Sequence, residues 1–141
     1  MTAIDRERLG AGTLPIWVIH EHRARWRFAS RFVSGTIVAD CACGVGLGSL
    51  IFAEAGAARV WAFDRSAEAV AAAAKNCAHS PRIFVQQADG LELPLEEQSV
   101  DVLISFETIE HIQDDEGFLS EVARVLRRDG SFICSTPNRS V

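Results

Sequence analysis

No run of apolar residues in this chain approaches the roughly 20 that a membrane-crossing helix needs. The opening Met1-Thr2-Ala3-Ile4-Asp5-Arg6 lacks the apolar stretch of a secretory signal. The expected setting is therefore the cytoplasm, with no membrane partner. Basic charge is in deficit: 14 Lys and Arg against 19 Asp and Glu leave a formal net charge of -5. That gives no broad attraction to a phosphate backbone and so no support for a nucleic-acid partner, while it does not oppose a cationic ligand. Lysine is nearly missing, with Lys75 the one example. Cys-x-x-Cys pairs are missing too: Cys41, Cys43, Cys77 and Cys134 have neither the spacing of a zinc site nor the density of a disulfide scaffold. They read as small apolar residues of a reduced core. Internal repeats, low-complexity tracts and interdomain linkers are likewise lacking. A length of 141 residues with 48% hydrophobic content then predicts one compact domain over 14–141 behind a flexible segment 1–13.

What the sequence does contain is an alternation of short Val-, Ile- and Phe-rich runs with segments of helical period, the pattern of a parallel sheet with helices on its faces. A helix is predicted from Pro15 to Val33, with Pro15 near its first turn and Gly35 past its end. Strands are predicted over Thr36–Cys41, Arg59–Asp64, Arg82–Gln87, Val100–Phe106 and Ser131–Ser135. Helices are predicted over Leu47–Ala55 and from Ser66 to Ala78, where Pro81 cannot continue the second. A last helix, capped by Asp114 or Asp115, presents Phe118, Leu119, Val122, Val125 and Leu126 on one side, and Arg127 and Arg128 suit its negative C-terminal end.

The most informative stretch is Asp40-Cys41-Ala42-Cys43-Gly44-Val45-Gly46-Leu47-Gly48, where a buried strand runs into a glycine loop and then a helix. Glycine lets backbone approach a ligand closely, and the free N–H groups of the next helix face it. The same loop also reads as a tight strand-to-helix turn. The ends of the second and third strands favour a nucleoside site: Val60-Trp61-Ala62-Phe63-Asp64 ends in a carboxylate placed to accept from ribose hydroxyls, and Gln87-Ala88-Asp89-Gly90 carries another, placed to accept from an adenine amino group. The dinucleotide fingerprint G-x-G-x-x-G is not met, because the third glycine falls one place early at Gly48, with Ser49 in its position. That disfavours a nicotinamide-dependent oxidoreductase.

In order and spacing these segments resemble the motifs of class I S-adenosylmethionine-dependent methyltransferases, from the first strand to the fifth. The resemblance implies a Rossmann-like doubly wound parallel sheet in a three-layer α/β/α arrangement, lacking the last two of the usual seven strands. It implies S-adenosyl-L-methionine as cofactor, with Asp40, Gly44 and Gly46 around the methionine part, Asp64 on the ribose, Arg65 near the adenine ring and Asp89 by its amino group. Cys41, Ala42, Ala88, Gly90 and Phe106 complete the expected contact set. The family commonly has glycine where Ala42 stands, and accommodation of that one methyl group is expected. The segment Glu21-His22-Arg23-Ala24-Arg25-Trp26-Arg27-Phe28-Ala29 resembles the helix that some members fold over the cofactor, which would give Arg25 to its carboxylate. The alternative is a solvated arginine face with Trp26 and Phe28 packing inward.

At the end of strand four, Phe106-Glu107-Thr108-Ile109-Glu110-His111-Ile112 resembles the Glu-x-x-Glu-His pattern of metal-dependent RNA-ribose and ubiquinone-pathway O-methyltransferases. Three readings stand: Glu107, Glu110 and His111 hold a divalent metal; Glu107 and His111 act on the substrate without metal, His111 as general base; or the group caps the strand end. The metal-free reading is preferred, with Glu107 and His111 as catalytic residues. The exit Ser135-Thr136-Pro137-Asn138-Arg139 resembles that of one bacterial branch of the superfamily. With nothing beyond it, strand five would expose an edge for a second copy or another chain, and a fragment is one explanation. The expected function is methyl transfer to a small-molecule acceptor by in-line attack. A catalytically silent cofactor-binding remnant is the competing reading.

Overall fold

The computed structural model describes residues 16–138. Expectations for the segment 1–13, for Pro15 and for Arg139 lie outside the described residues. The chain runs α1 (Ile16–Ser30), β1 (Ile37–Cys41), α2 (Leu47–Glu54), β2 (Arg59–Asp64), α3 (Ala67–Cys77), β3 (Ile83–Gln87), β4 (Val100–Phe106), a 3₁₀ turn (Ile109–His111), α4 (Asp115–Val125) and β5 (Leu126–Ser135). All strand pairs are parallel, in the order β3-β2-β1-β4-β5. The chain works outward through β2 and β3, then crosses back to place β4 on the other side of β1. Loops leaving the C-terminal ends of β1 and β4 therefore diverge, and a crevice opens between them.

Period-two alternation sends neighbouring residues of each strand into different layers. Val38, Val60, Ala62, Val102 and Ile104 join Phe52 of α2, Ala73 and Cys77 of α3, and Ala29 of α1 in one core. Ala39, Cys41, Phe63 and Leu103 join Phe118, Val122 and Val125 of α4 in the other. The α/β/α sandwich follows from that division. Ser66 caps α3 by accepting the N–H of Ala69 at 3.2 Å, and Asp114 caps α4 by accepting that of Gly117 at 2.8 Å. Among the described residues no helix is long and apolar enough to cross a membrane.

Three local expectations are corrected. First, α1 stops at Ser30, not Val33, because Ser30 Oγ donates to the Arg27 carbonyl at 2.7 Å and Phe32 N–H bonds back to Ala29 at 3.0 Å, tightening the last turn. Val33 is still fully buried, from the turn. Second, β5 begins at Leu126, which pairs with Val100, while Ser131 is the next to pair, with Val102. The residues between bulge out, and Gly130 closes the bulge where a Cβ would lie 2.8 Å from the Arg127 carbonyl and 3.0 Å from that of Asp101. Third, Arg127 does not serve the end of α4. Its Nη1 donates to Asp101 Oδ1 at 2.7 Å, and Asp101 Oδ2 accepts the N–H of Ile37 at 2.8 Å, joining β1, β4 and the bulge. The last-turn base of α4 is Arg124, which reaches back to the Leu93 and Leu95 carbonyls at 3.1 and 2.9 Å.

Candidate functional site

The loop after β1 is built from backbone that most residues avoid. Ala42, Gly44 and Gly46 have φ of 69, 56 and 88°, so the chain turns sharply before α2 begins at Leu47. Cys43 N–H bonds the Phe63 carbonyl at 2.9 Å and Gly44 N–H bonds Asp64 Oδ2 at 2.8 Å, which ties the loop to the end of β2. The glycines divide the two readings of this loop between them. A Cβ on Gly44 would meet nothing within 4 Å, so its surface is open. A Cβ on Gly46 would lie 2.8 Å from Cys77 Sγ, and one on Gly48 2.6 Å from Trp26 Nε1. Those two glycines admit α3 and α1.

Two cavities meet at Ala42, along the C-terminal edge of the sheet. One, of about 220 Å³, lies between the loop and α1 and is lined by His22, Trp26, Asp40, Ala42, Cys43, Gly44, Val45, Leu47 and Phe106. The other, of about 450 Å³, is lined by Cys41, Ala42, Asp64, Arg65, Ala88, Asp89, Gly90 and Leu91, and on its far side by Thr108, His111, Ile112, Gln113 and Asp114. Of the residues singled out in the sequence, Asp40, Gly44 and Phe106 fall in the smaller cavity. Cys41, Asp64, Arg65, Ala88, Asp89, Gly90 and His111 fall in the larger, and Ala42 belongs to both. Gly46 lines neither. Sequence reasoning missed the apolar linings Val45, Leu47, Leu91 and Ile112, and the lining role of His22. An apolar residue just past a strand end carries no signal to separate it from core.

Burial pushes the Asp40 carboxyl up from 3.8 to about 6, a rise that the Ser49 hydroxyl, donating at 2.6 Å, limits and that nearby Asp64 adds to. Asp64 uses Oδ2 for Gly44 and Oδ1 for the N–H of Ser66 at 2.9 Å, so its plane is fixed by two backbone donors. Asp89 is exposed at the mouth, with Oδ1 on the N–H of Leu91 at 2.9 Å. Burial also raises three thiols, Cys41 to about 12, Cys77 to about 11 and Cys43 further still, which leaves them inert. Cys134 differs from the other three in being exposed.

The Glu-x-x-Glu-His segment does not act as one group. Glu107, with φ of 53°, gives its N–H to the Ser135 carbonyl at 2.9 Å and accepts from Ser135 Oγ at 2.8 Å. Arg25 Nη2 approaches its Oε1 at 3.5 Å and Glu21 at 3.7 Å. Glu107 thus joins α1 to β5 and lines neither cavity, while His111, 79% exposed, faces the larger cavity with Glu110 at 3.9 Å. His111 closes the 3₁₀ turn that follows Glu107, and only His111 of the two lines a cavity. Among the described residues no three His, Cys, Asp or Glu side chains are grouped as metal ligands would be. Arg25 is therefore engaged by carboxylates of the chain itself. Trp26 packs inward, whereas Phe28, expected inward in the arginine-face alternative, is 52% exposed.

The family described as "Methyltransferase domain" matches residues 39–134. A probable S-adenosylmethionine-dependent methyltransferase of Mycolicibacterium smegmatis is 38% identical over 84% of the chain, which covers 44% of that protein. One of Mycobacterium tuberculosis is 43% identical over 72% of the chain and 36% of its own length. The chain thus spans less than half the length of these curated relatives. A solved S-adenosylmethionine-dependent methyltransferase from Mesorhizobium loti superposes with a TM-score of 0.71 at 27% identity, covering 79% of this chain and 53% of that one.

Proposed function

Because the chain belongs to the class I S-adenosylmethionine-dependent methyltransferases, we propose that it binds S-adenosylmethionine across the two cavities and transfers its methyl group to a small-molecule acceptor. The observation that carries this reading is the pair of cavities joined at Ala42, with Asp64 and Asp89 in the larger and Asp40 in the smaller. The donor set fits the cofactor. Asp64, held flat by two backbone N–H groups, offers carboxylate lone pairs to ribose hydroxyls. Leu91 and Ile112 supply apolar walls for a purine, with Asp89 and Arg65 at its rim. Gly44, open on its outer side, and Asp40 receive the amino-acid end under His22 and Trp26.

S-adenosylmethionine supplies an electrophilic methyl on a good leaving group, so no acid or base is obligatory. The residues of the chain position and desolvate: Trp26 and Phe106 exclude water from the smaller cavity, and the strained loop fixes the cleft. Positioning of this kind accounts for roughly 7–11 kcal/mol of barrier reduction. Asp40 and Asp64 contribute attraction for a cation, worth about 1 kcal/mol per close pair in water and more where burial lowers the local dielectric. Within this reading His111, at the rim of the larger cavity, lies beside the nucleoside, and Glu107 acts through Arg25 and Ser135. The outer edge of β5 carries no strand among the described residues and is the place for a second copy or another chain. Four unpaired thiols suit the cytoplasm.

Calorimetry with S-adenosylmethionine, S-adenosylhomocysteine and NAD tests the reading. Binding of the first two and not of NAD is expected. Failure of both to bind overturns it, and binding without methyl transfer to any component of a small-molecule extract selects the catalytically silent alternative.

A further inference from the structure

The two sides of α1 do different things. On the inner side His22, Trp26 and Ala29 meet the smaller cavity and the core. At about 100° per residue, Trp17, Ala24 and Phe28 fall on one stripe of the opposite side. Trp17 is 63% exposed and Phe28 52%. Phe32, just past the helix and 48% exposed, sets its ring 5.4 Å from that of Phe28 and extends the ridge. Scattered apolar side chains on a surface need no explanation, but Phe28 and Phe32 touch, and Trp17 stands exposed on the same stripe. Exposed His20, Arg27 and Arg31 flank that ridge, with Glu21 the one acid beside it.

Charge is divided in the same way. From Ile16 to Phe32 there are four arginines and one glutamate, in a chain whose formal net charge is -5. An anionic surface therefore attracts the α1 side and repels the remainder, which orients the approach. Nucleic acid would call for a basic groove with aromatics inside it; here exposed rings stand on the outer stripe of a helix with His20, Arg27 and Arg31 along one flank, side chains that suit an anionic lipid interface. No described helix is built to cross the bilayer, so the contact is peripheral.

We propose that the outer face of α1, centred on Trp17, Phe28 and Phe32 and flanked by Arg27 and Arg31, docks on an anionic lipid surface. Docking depends on α1 and not on methyl transfer. Should both hold, the cleft stands about one helix diameter, 10–12 Å, from the headgroups, within reach of an acceptor partitioned into lipid.

The test is cosedimentation of the full chain with vesicles of phosphatidylcholine alone and of phosphatidylcholine mixed with phosphatidylglycerol. The mixed vesicles should take up the protein and the neutral ones should not, with uptake falling as salt rises. Replacing Phe28→Ser and Phe32→Ser together should abolish uptake, and Arg27→Gln or Arg31→Gln should each lower partitioning about fivefold. Unchanged melting of each variant confirms that the fold is intact. No uptake by either vesicle, equal uptake by both, or wild-type uptake by the Phe28/Phe32 variant overturns the proposal. A dimer in size-exclusion chromatography that those substitutions convert to monomer also overturns it, by assigning the face to a second copy. Calorimetry with S-adenosylhomocysteine on the same samples reads the cofactor site separately.

Discussion

Asp64 Oδ2 accepts the backbone N–H of Gly44 at 2.8 Å, across the gap between the end of β2 and the loop after β1. One carboxylate thereby shapes the loop and presents itself to the larger cavity. Asp64→Ala removes both effects. Hydrogen bonds to a charged group are worth about 1.5–3 kcal/mol, so affinity for S-adenosylhomocysteine should drop roughly tenfold to a hundredfold in calorimetry. An unchanged affinity would place the ribose elsewhere.

Ala42 holds φ of 69° at the junction of the two cavities. A left-handed alanine crowds its own carbonyl, and glycine escapes that cost even after its larger loss of backbone freedom. Ala42→Gly should therefore stabilise the fold by about 1 kcal/mol, raising Tm by about 2–6 °C. The same change clears a methyl group from the cleft, so cofactor affinity should hold or improve. A lower Tm would show that the methyl group packs against something that outweighs the strain.

Asp40 supplies a pH test with a definite sign. Its carboxyl is raised from 3.8 to about 6 by burial, so the folded protein keeps this proton over a range in which the unfolded chain has lost it. The favourable contribution is complete below the unfolded value and is lost as pH rises through the folded one. Asp40→Asn retains an acceptor for the Ser49 hydroxyl without the charge. Its stability relative to wild type should grow between about pH 4 and 6 and level off above, as read by urea denaturation at each pH. A difference that is flat across this window would mean that Asp40 is better solvated than its position beneath the loop indicates.

The boundaries of β2 and β4 were legible to the residue, because a parallel strand covered on both faces is rich in apolar residues, as in Val60-Trp61-Ala62-Phe63 and Val102-Leu103-Ile104, and gives way to polar residues at its end. Asp64 was legible as a strand-end carboxylate for the same reason, whereas Asp89 lies two residues beyond the end of β3. Features set by distant residues were not. Whether a glycine in the loop serves ligand or packing depends on Trp26 and Cys77, 22 and 31 residues away from Gly48 and Gly46, respectively. Glu107 and His111 are four residues apart in the sequence, yet Glu107 is engaged by Arg25 and Ser135 while His111 lines the larger cavity. Phe28 shares its helix with inward-facing Trp26, and only the packing of α1 shows which ring is left outside.

Arg124 is the link between α4 and the larger cavity. Its guanidinium holds Glu121 through Nε at 2.9 Å and reaches the carbonyls of Leu93 and Leu95, while its own carbonyl accepts from Gln98. Residues 88–99 have no helix of their own, so these bonds and the burial of Leu93 fix the segment that carries Ala88, Asp89, Gly90 and Leu91. Arg124→Ala removes the donor from two carbonyls and leaves the Glu121 carboxylate with the N–H of Leu93 at 3.3 Å, and should lower stability by about 1–3 kcal/mol in urea. Because the loosened segment lines one side of the larger cavity, S-adenosylhomocysteine should bind more weakly too, with Arg124→Lys intermediate. Stability lost with affinity intact would mean that the burial of Leu93 and the bond from Ala88 N–H to the Asp64 carbonyl at 3.0 Å position the segment without Arg124, and would confine Arg124 to a structural role.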